Sequence, residues 1–132
     1  MSKIFGGFFI DPEGRRQRLP ILVDPDESKI EKILKENSDK GCVIVLRQSP
    51  ELEGQPYELT LYSENNNYLI TLSERDANFV DVIKTLNCVN ASNDLVTILG
   101  EKYPAKHVTN DFNVVYEIFH EFSKAGNVSS MT

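Results

Sequence analysis

One stretch, YELTLYSENNNYLITL at residues 57–72, limits the possible folds of this chain more than any other part of it. Two alternating apolar runs flank its asparagines. Directly opposed residues of an antiparallel hairpin share a face, so the loop length decides which side chains meet. A two-residue loop at Asn65-Asn66 opposes aliphatic to aliphatic side chains, whereas a three-residue loop would mix the two faces. Asn also tolerates the positive φ that such loops need. The stretch therefore predicts a tight hairpin with the opposed pairs Leu61–Ile70, Leu59–Leu72, Tyr62–Leu69, Thr60–Thr71 and Glu58–Ser73.

Further runs of strand length surround this hairpin. KIFGGFFI, CVIVLRQ, NFVDVIKTLNCVN and LVTILG each predict a strand, and the third of them could hold two short ones. The Gly6-Gly7 pair in the first run suggests a bulge or a close backbone approach. Most loops are short, and parallel strands would need longer crossovers. We therefore expect an antiparallel meander of five to six strands.

A first amphipathic helix is predicted at about 25–38. Asp24 is its candidate N-cap, Pro25 would occupy the first helical position, and Glu27 would complete a capping box. Apolar residues at helical spacing predict one buried face.

A second amphipathic helix is predicted at about 110–125. Thr109 or Asn110 could cap it, a broad apolar stripe follows, and Gly126 supplies the stop. The chain as a whole is therefore predicted to be α+β, with one antiparallel sheet packed on two helices in a single domain over 1–132.

Composition narrows the class of protein. The chain has 132 residues, of which 40% are hydrophobic and 26% charged, as in an ordinary globular domain. No apolar run reaches the length of a membrane span, and the N-terminal apolar stretch is too short for a secretory signal, so we expect a cytoplasmic location and no membrane contact. Cys42 and Cys88 lie in apolar runs and are expected to be buried free thiols.

The charge balance indicates which partners are compatible with the surface. Twenty acidic and fourteen basic side chains give a net charge of −6. Phosphate backbones attract the opposite kind of surface, so we expect no direct binding of nucleic acid. A basic protein partner is compatible with this balance.

A search for catalytic or ligand-binding patterns gives no candidate. The chain has no GxSxG, P-loop or GxGxxG motif, and we expect no catalytic residue, cofactor or metal. Glu117 and His120 stand at i, i+3, a spacing that di-iron bundles use twice with further carboxylates. Here it occurs once, and an exposed helical pair is the better reading. His107 is expected in a surface loop. These features favour a binding protein over an enzyme.

Three segments together resemble a known family. They are LVDPDESKIEKILKEN, YELTLYSENNNYLITL and ILGEKYPAKHVTNDFNVVYEIFHEFSKAGNVS, which lie between about Leu19 and Ser129. In this order they resemble the small bacterial immunity proteins that are encoded beside polymorphic toxins, such as those of contact-dependent growth inhibition (CdiI-type). The resemblance transfers no catalytic residue.

The resemblance implies a function in the cytoplasm. Such a protein neutralises one cognate toxin domain, the C-terminal region of a large secreted toxin, by occluding its active site or substrate surface. Many of these toxins cleave tRNA or other nucleic acids and are basic. The acidic balance of this chain would then speed their capture.

The polar face and tip of the hairpin are the candidate toxin contacts, and the free protein is expected to be a monomer. The alternative for this face is plain solvation. The candidate residues are Tyr57, Glu58, Tyr62, Glu64, Asn65 and Asn66.

Two other function classes remain open from the sequence. One is a small enzyme or enzyme subunit with a site assembled from distant residues, for which the candidates are Glu58, Glu64, Asp81 and His107. The other is an interaction module that joins a larger assembly through an exposed sheet edge.

Overall fold

The computed structural model describes residues 2–88 and 92–131 and shows an α+β fold. Within those residues the chain forms ten strands, two α-helices and one turn of 3₁₀ helix. In chain order they are β1 (Ser2–Ile10), β2 (Arg16–Arg18), β3 (Leu22–Val23), α1 (Glu27–Asn37), β4 (Cys42–Ser49), β5 (Pro56–Glu64), β6 (Asn67–Arg75), β7 (Asp81–Thr85), β8 (Leu95–Ile98), β9 (Glu101–Pro104), the 3₁₀ turn (Ala105–His107), β10 (Val108–Thr109) and α2 (Phe112–Ala125).

Eight of the strands form one antiparallel sheet. Its order is β10-β6-β5-β4-β1-β2, with β3 paired to the same edge of β1 as β2, and β7 paired to the same edge of β6 as β10. The predicted fold class is confirmed, but the expected five to six strands were too few. The additional strands β2, β3 and β10 have only two or three residues, which is too short for a periodic pattern to show.

The central hairpin has the predicted register. β5 and β6 oppose Leu61 to Ile70 and Leu59 to Leu72, and the other predicted pairs are also present. The loop residues Asn65 and Asn66 have φ of 51° and 60°. Both values lie in the left-handed region that a two-residue hairpin loop requires.

Helix α1 begins later than the sequence suggested. Its N-cap is Asp26, whose Oδ1 accepts a hydrogen bond from the Lys29 N–H at 2.9 Å, and this bond lowers the pKa of the Asp26 carboxyl. Asp24, the predicted cap, instead has φ of 47° and accepts from the Lys3 N–H at 2.7 Å. It ties the helix entry to β1, so the helix cannot start there.

Helix α2 is capped by Asp111 and not by Thr109 or Asn110, because the Asp111 side chain accepts from the Asn113 N–H at 2.9 Å. Gly126 ends the helix at φ of 70°, as predicted. No helix in the described part of the chain has the length and apolar character needed to span a membrane.

The core lies between the two helices and one face of the sheet, here called the inner face. Alternate residues of β4 are buried, beginning at Cys42, and they face the buried apolar side chains of α1 and α2. The largest fully buried side chains are Phe5, Phe119, Phe122, Leu34, Ile44, Leu46, Leu59, Leu61, Ile70, Leu72 and Ile98.

The other face of the sheet, the outer face, is partly covered by a hairpin of β8 and β9. These two strands form a separate two-stranded sheet, so LVTILG is a strand but not part of the predicted single meander. Ile98 is 1% exposed, and the Leu99 N–H donates to Glu64 Oε1 at 3.0 Å. NFVDVIKTLNCVN holds β7 alone in its described part, and its Val89 and Asn90 lie outside the described residues.

Candidate protein-binding surface

The six residues predicted to contact a toxin do not form one patch. Tyr57 and Glu58 lie at the open end of the β5–β6 hairpin, whereas Glu64, Asn65 and Asn66 lie at its closed end. Glu58 and Glu64 are six positions apart, which corresponds to about 20 Å along a strand. The predicted contacts therefore fall into two groups at opposite ends of the hairpin.

The residues toward the closed end differ in how exposed their side chains are and in the contacts they already make. Asn65 and Asn66 are exposed at the tip. Glu64 already accepts a hydrogen bond from the β8–β9 turn. Tyr62 is half-buried near Tyr103 of β9, and burial raises its pKa. The two asparagines are thus the most exposed part of this end, although the Asn66 side chain accepts a hydrogen bond from the Tyr68 hydroxyl at 3.4 Å. Glu64 binds the outer hairpin through the Leu99 N–H.

Tyr57 is buried and not exposed, contrary to the expectation of a surface tyrosine. It is 7% exposed, and its ring centroid lies 5.9 Å from the guanidinium carbon of Arg47 and 5.0 Å from that of Arg75. Its hydroxyl donates to Asp81 Oδ1 at 3.1 Å, and burial raises its pKa. Tyr57 therefore contacts side chains of three neighbouring strands at this end of the sheet.

The two arginines beside Tyr57 connect neighbouring strands through ion pairs. Arg47 donates to Glu58 through Nε at 2.9 Å and also through a second guanidinium nitrogen, which raises the pKa of Arg47. Arg75 contacts Glu51 at 2.6 Å and Asp81 at 3.3 Å. These contacts fix the 50–55 loop and the start of β7 relative to the sheet.

Exposed apolar side chains lie next to this network, on β7 and the two adjoining loops, and Val82 and Ile83 of β7 point to opposite faces of the sheet. Phe79 is 70% exposed and Ile83 is 55% exposed, although large apolar side chains are usually buried. Five such side chains lie here, and we call them the β7 patch: Leu52, Phe79, Val80, Val82 and Ile83.

Acidic side chains surround the β7 patch. The two loops that carry them are adjacent, since the Gly54 N–H donates to the Arg75 carbonyl at 2.6 Å. The basic groups here are already paired, Lys84 with Glu74 at 3.0 Å and Arg75 as described above. The acids are Glu51, Glu53, Glu74, Asp76 and Asp81, against the bases Arg75 and Lys84. The surroundings of the patch are therefore negative, and a complementary surface would be basic.

The backbone of Phe79 is strained. Asp76 shapes the turn before β7 by accepting at Oδ1 from the Asn78 N–H at 2.8 Å and the Val80 N–H at 3.0 Å. Within this turn Phe79 has φ of 58°. A bulky aromatic residue rarely adopts the left-handed region, and such strain costs about 1–3 kcal/mol. The turn is held by hydrogen bonds to Asp76 and not by burial of the Phe79 ring, which stays 70% exposed.

The β7 patch was not predicted, because the sequence pattern of this run suggested a buried strand. A run with apolar side chains on both faces is typical of a fully buried strand. The acidic residues within and before the run, Asp76 and Asp81, were the available signal that it lies at the surface.

Comparison with known proteins places the chain in a family. A model of a family of unknown function (DUF6911) matches residues 2–132. The chain belongs to this family. A crystal structure of a hypothetical protein from Neisseria gonorrhoeae is similar to it, with a TM-score of 0.85 and 30% sequence identity over 99% of this chain and 92% of that chain. No curated protein matches the chain.

In this DUF6911 member, the four residues of the enzyme alternative have separate partners. Glu58 contacts Arg47, Glu64 accepts from the β8–β9 turn, and Asp81 contacts Tyr57 and Arg75. His107 Nδ1 lies 2.8 Å from the Leu86 carbonyl oxygen, to which its N–H donates, and 3.0 Å from Thr85 Oγ1. Glu58 and Asp81 thus belong to the network around Tyr57, whereas Glu64 and His107 lie at two other places in the fold.

The second histidine joins the two helices. His120 Nδ1 lies 3.1 Å from Glu27 Oε2, and Lys124 Nζ lies 3.1 Å from the other oxygen of the same carboxylate. The predicted pairing with Glu117 within α2 is replaced by this contact with α1. Among the described residues, no group of three or more His, Cys, Asp and Glu side chains is arranged to hold a metal ion.

The two cysteines are free, as predicted, but only Cys42 is buried. Burial raises its pKa to about 11, so its thiol stays protonated and unreactive near neutral pH. Cys88 is half-buried, and its thiol lies 3.7 Å from the Val108 carbonyl oxygen.

Proposed function

We propose that the protein is an immunity protein that binds and neutralises one basic toxin domain in the cytoplasm. The support comes from two directions: the resemblance of three sequence segments to CdiI-type proteins, and the β7 patch with its acidic surroundings. The patch is the observation that carries the proposal, because several exposed apolar side chains along one edge of a small domain are typical of a binding site.

The physical roles divide between the apolar and the acidic groups of this surface. Buried aromatic and aliphatic anchors supply most of the affinity of a protein interface, and Phe79 and Ile83 are suited to that role. The acidic side chains attract a basic partner from a distance and raise the association rate. A toxin that acts on nucleic acid needs a basic substrate surface, and covering that surface would neutralise it.

The partner is proposed to be the C-terminal domain of a large secreted toxin, encoded next to this protein, and the free immunity protein is proposed to be a monomer. Of the residues predicted from the sequence, Glu58 belongs to the same end of the sheet as the β7 patch. Asn65 and Asn66 remain candidates for a secondary contact, because they are exposed at the far tip.

The replacement Phe79→Asn tests the proposal. Asn tolerates the left-handed backbone better than Phe, so the free energy of unfolding should stay unchanged or rise by up to about 1 kcal/mol. Binding of the toxin domain from the adjacent upstream reading frame should weaken at least tenfold, which is about 1.4 kcal/mol. Denaturant unfolding would measure the change in stability, calorimetric titration would measure the change in binding, and rescue of growth on co-expression would report neutralisation.

Leu95→Asn is the matched control for this replacement. Leu95 is 61% exposed and lies on the β8–β9 hairpin, a sheet separate from the one that contains β7. This variant should bind and protect like the unchanged protein. Unchanged affinity of the Phe79→Asn variant for the toxin domain would exclude the β7 patch as the toxin contact.

An interaction module of a larger assembly could use the same patch, and growth separates the two functions. If the protein is an immunity protein, expression of the upstream-encoded domain alone should stop growth, and co-expression of this protein should restore it. A structural partner would not be toxic when expressed alone.

A further inference from the structure

The outer edge of strand β7 is open. β7 pairs with β6 on one side over residues 81–85. On its other side, no strand pairs with it within residues 2–88 and 92–131. An edge strand of this kind presents backbone N–H and C=O groups that can pair with another chain.

The opposite edge of the same sheet is protected in ways that β7 is not. There the edge is divided between the three residues of β2, two of which are arginines, and the two residues of β3, which follow Pro20. Short strands, positive charge and proline all disfavour pairing with another chain. β7 has five residues and no proline, and its one basic side chain, Lys84, is paired with Glu74. It carries the exposed aliphatic side chains Val82 and Ile83 on its two faces.

We infer that an extended segment of the partner adds to the sheet along this open edge of β7. The inference rests on the proposed function and names the way in which the toxin domain binds. Main-chain hydrogen bonds to β7 would align the segment, and alternate side chains would pack on Val82 and Ile83. Phe79, at the entry to the strand, would cover one end of the added segment.

The charges around the edge indicate the chemistry of that segment. Glu53 and Asp76 lie on the loops at the start of β7, and neither forms an ion pair within the described residues. Lysine or arginine side chains on the added segment would meet them. A second copy of this protein is a poorer occupant, because it would bring two acidic loops together.

The test compares two lysine replacements on opposite edges of the sheet. Ile83→Lys places a charge on the open edge, and Val23→Lys places the same charge on β3. Both side chains are exposed, 55% and 67% respectively, so both variants should fold. We expect Ile83→Lys to weaken binding of the upstream-encoded toxin domain at least tenfold and Val23→Lys to leave it within twofold. Ile83→Glu makes the surface more negative but also removes the aliphatic contact, so it should weaken binding as well.

Amide hydrogen exchange distinguishes strand addition from other contacts. The outward-facing amides of β7 should exchange at least tenfold more slowly in the complex than in the free protein. If the toxin domain binds and these amides gain no protection, strand addition is wrong while the proposed function stands. If the toxin domain does not bind and growth is not rescued, the proposed function and this inference are both wrong.

Discussion

Gly7 shows at the residue scale why the first strand contains a glycine pair. It has φ of 139°, and a Cβ built on it would lie 2.0 Å from the Val43 carbonyl oxygen and 3.0 Å from the Ile44 Cα. Both are backbone atoms of the neighbouring strand and cannot move aside easily. The close backbone approach suggested by Gly6-Gly7 is therefore confirmed at Gly7.

Gly7→Ala should destabilise the protein strongly. Forcing a methyl group into a packed site costs roughly 1–3 kcal/mol, and contact with backbone places this change near 3 kcal/mol. Gly6→Ala is the control, because the Cβ would come no closer than 3.9 Å, to Ile21 Cγ1. Denaturant unfolding of the two variants checks the difference, and equal stabilities would contradict it.

Residues also show where local sequence reasoning misses a boundary. DPDE contains two candidate caps, and the chain uses Asp26 because Asp24 is bound to the backbone of Lys3. That contact joins residues far apart in the chain. No local pattern reports such a contact, so the error of two residues was not avoidable from sequence.

At the scale of elements, the two hairpins of the molecule contrast. The Asn65-Asn66 loop was predicted because Asn is common at positive φ. The β8–β9 loop consists of Leu99 and Gly100, with φ of 53° and 86°, and Leu is not a usual turn residue. The second hairpin was therefore missed. Its Leu99 is held by tertiary contact, since the N–H donates to Glu64.

Replacement of Asn66 tests the loop chemistry of the first hairpin. Asn66→Val should lower the free energy of unfolding by about 1–2 kcal/mol, because a β-branched residue tolerates the left-handed region poorly. Asn66→Gly should retain the stability, since Gly adopts this conformation freely. Chemical unfolding measures both variants. Equal stability of the Val and Gly variants would show that the loop does not depend on positive φ.

For the whole molecule, the distribution of charge matters more than its total. Acidic side chains of helix α1 form ion pairs within the protein. Glu31 pairs with Lys35 of the same helix at 2.8 Å, and Glu27 pairs with Lys124 of α2. Around the β7 patch, Glu53 is exposed and without an ion pair in the described residues. The net charge of −6 thus includes groups that remain available to steer a basic partner.

Charge reversal at two exposed glutamates tests this steering. Glu53→Lys should slow association with the toxin domain roughly threefold or more at low salt and reduce its salt dependence. Glu13→Lys, in the turn between β1 and β2 at the other edge of the sheet, makes the same change in net charge. It should have a smaller effect. Stopped-flow association at several salt concentrations provides the measurement, and identical rates for the two variants would mean that only total charge acts.

The amino-acid sequence by itself determined those features that depend on neighbours in the chain. Alternation and the asparagine pair set the register of β5 and β6, and helical spacing set the buried stripes of α1 and α2. Only the tertiary structure decided which sheet faces and edges are covered. The β8–β9 hairpin folds over the outer face and β7 stays open, because burial of a strand depends on distant elements that pack against it, and hydrophobic attraction between them carries no signal in local spacing.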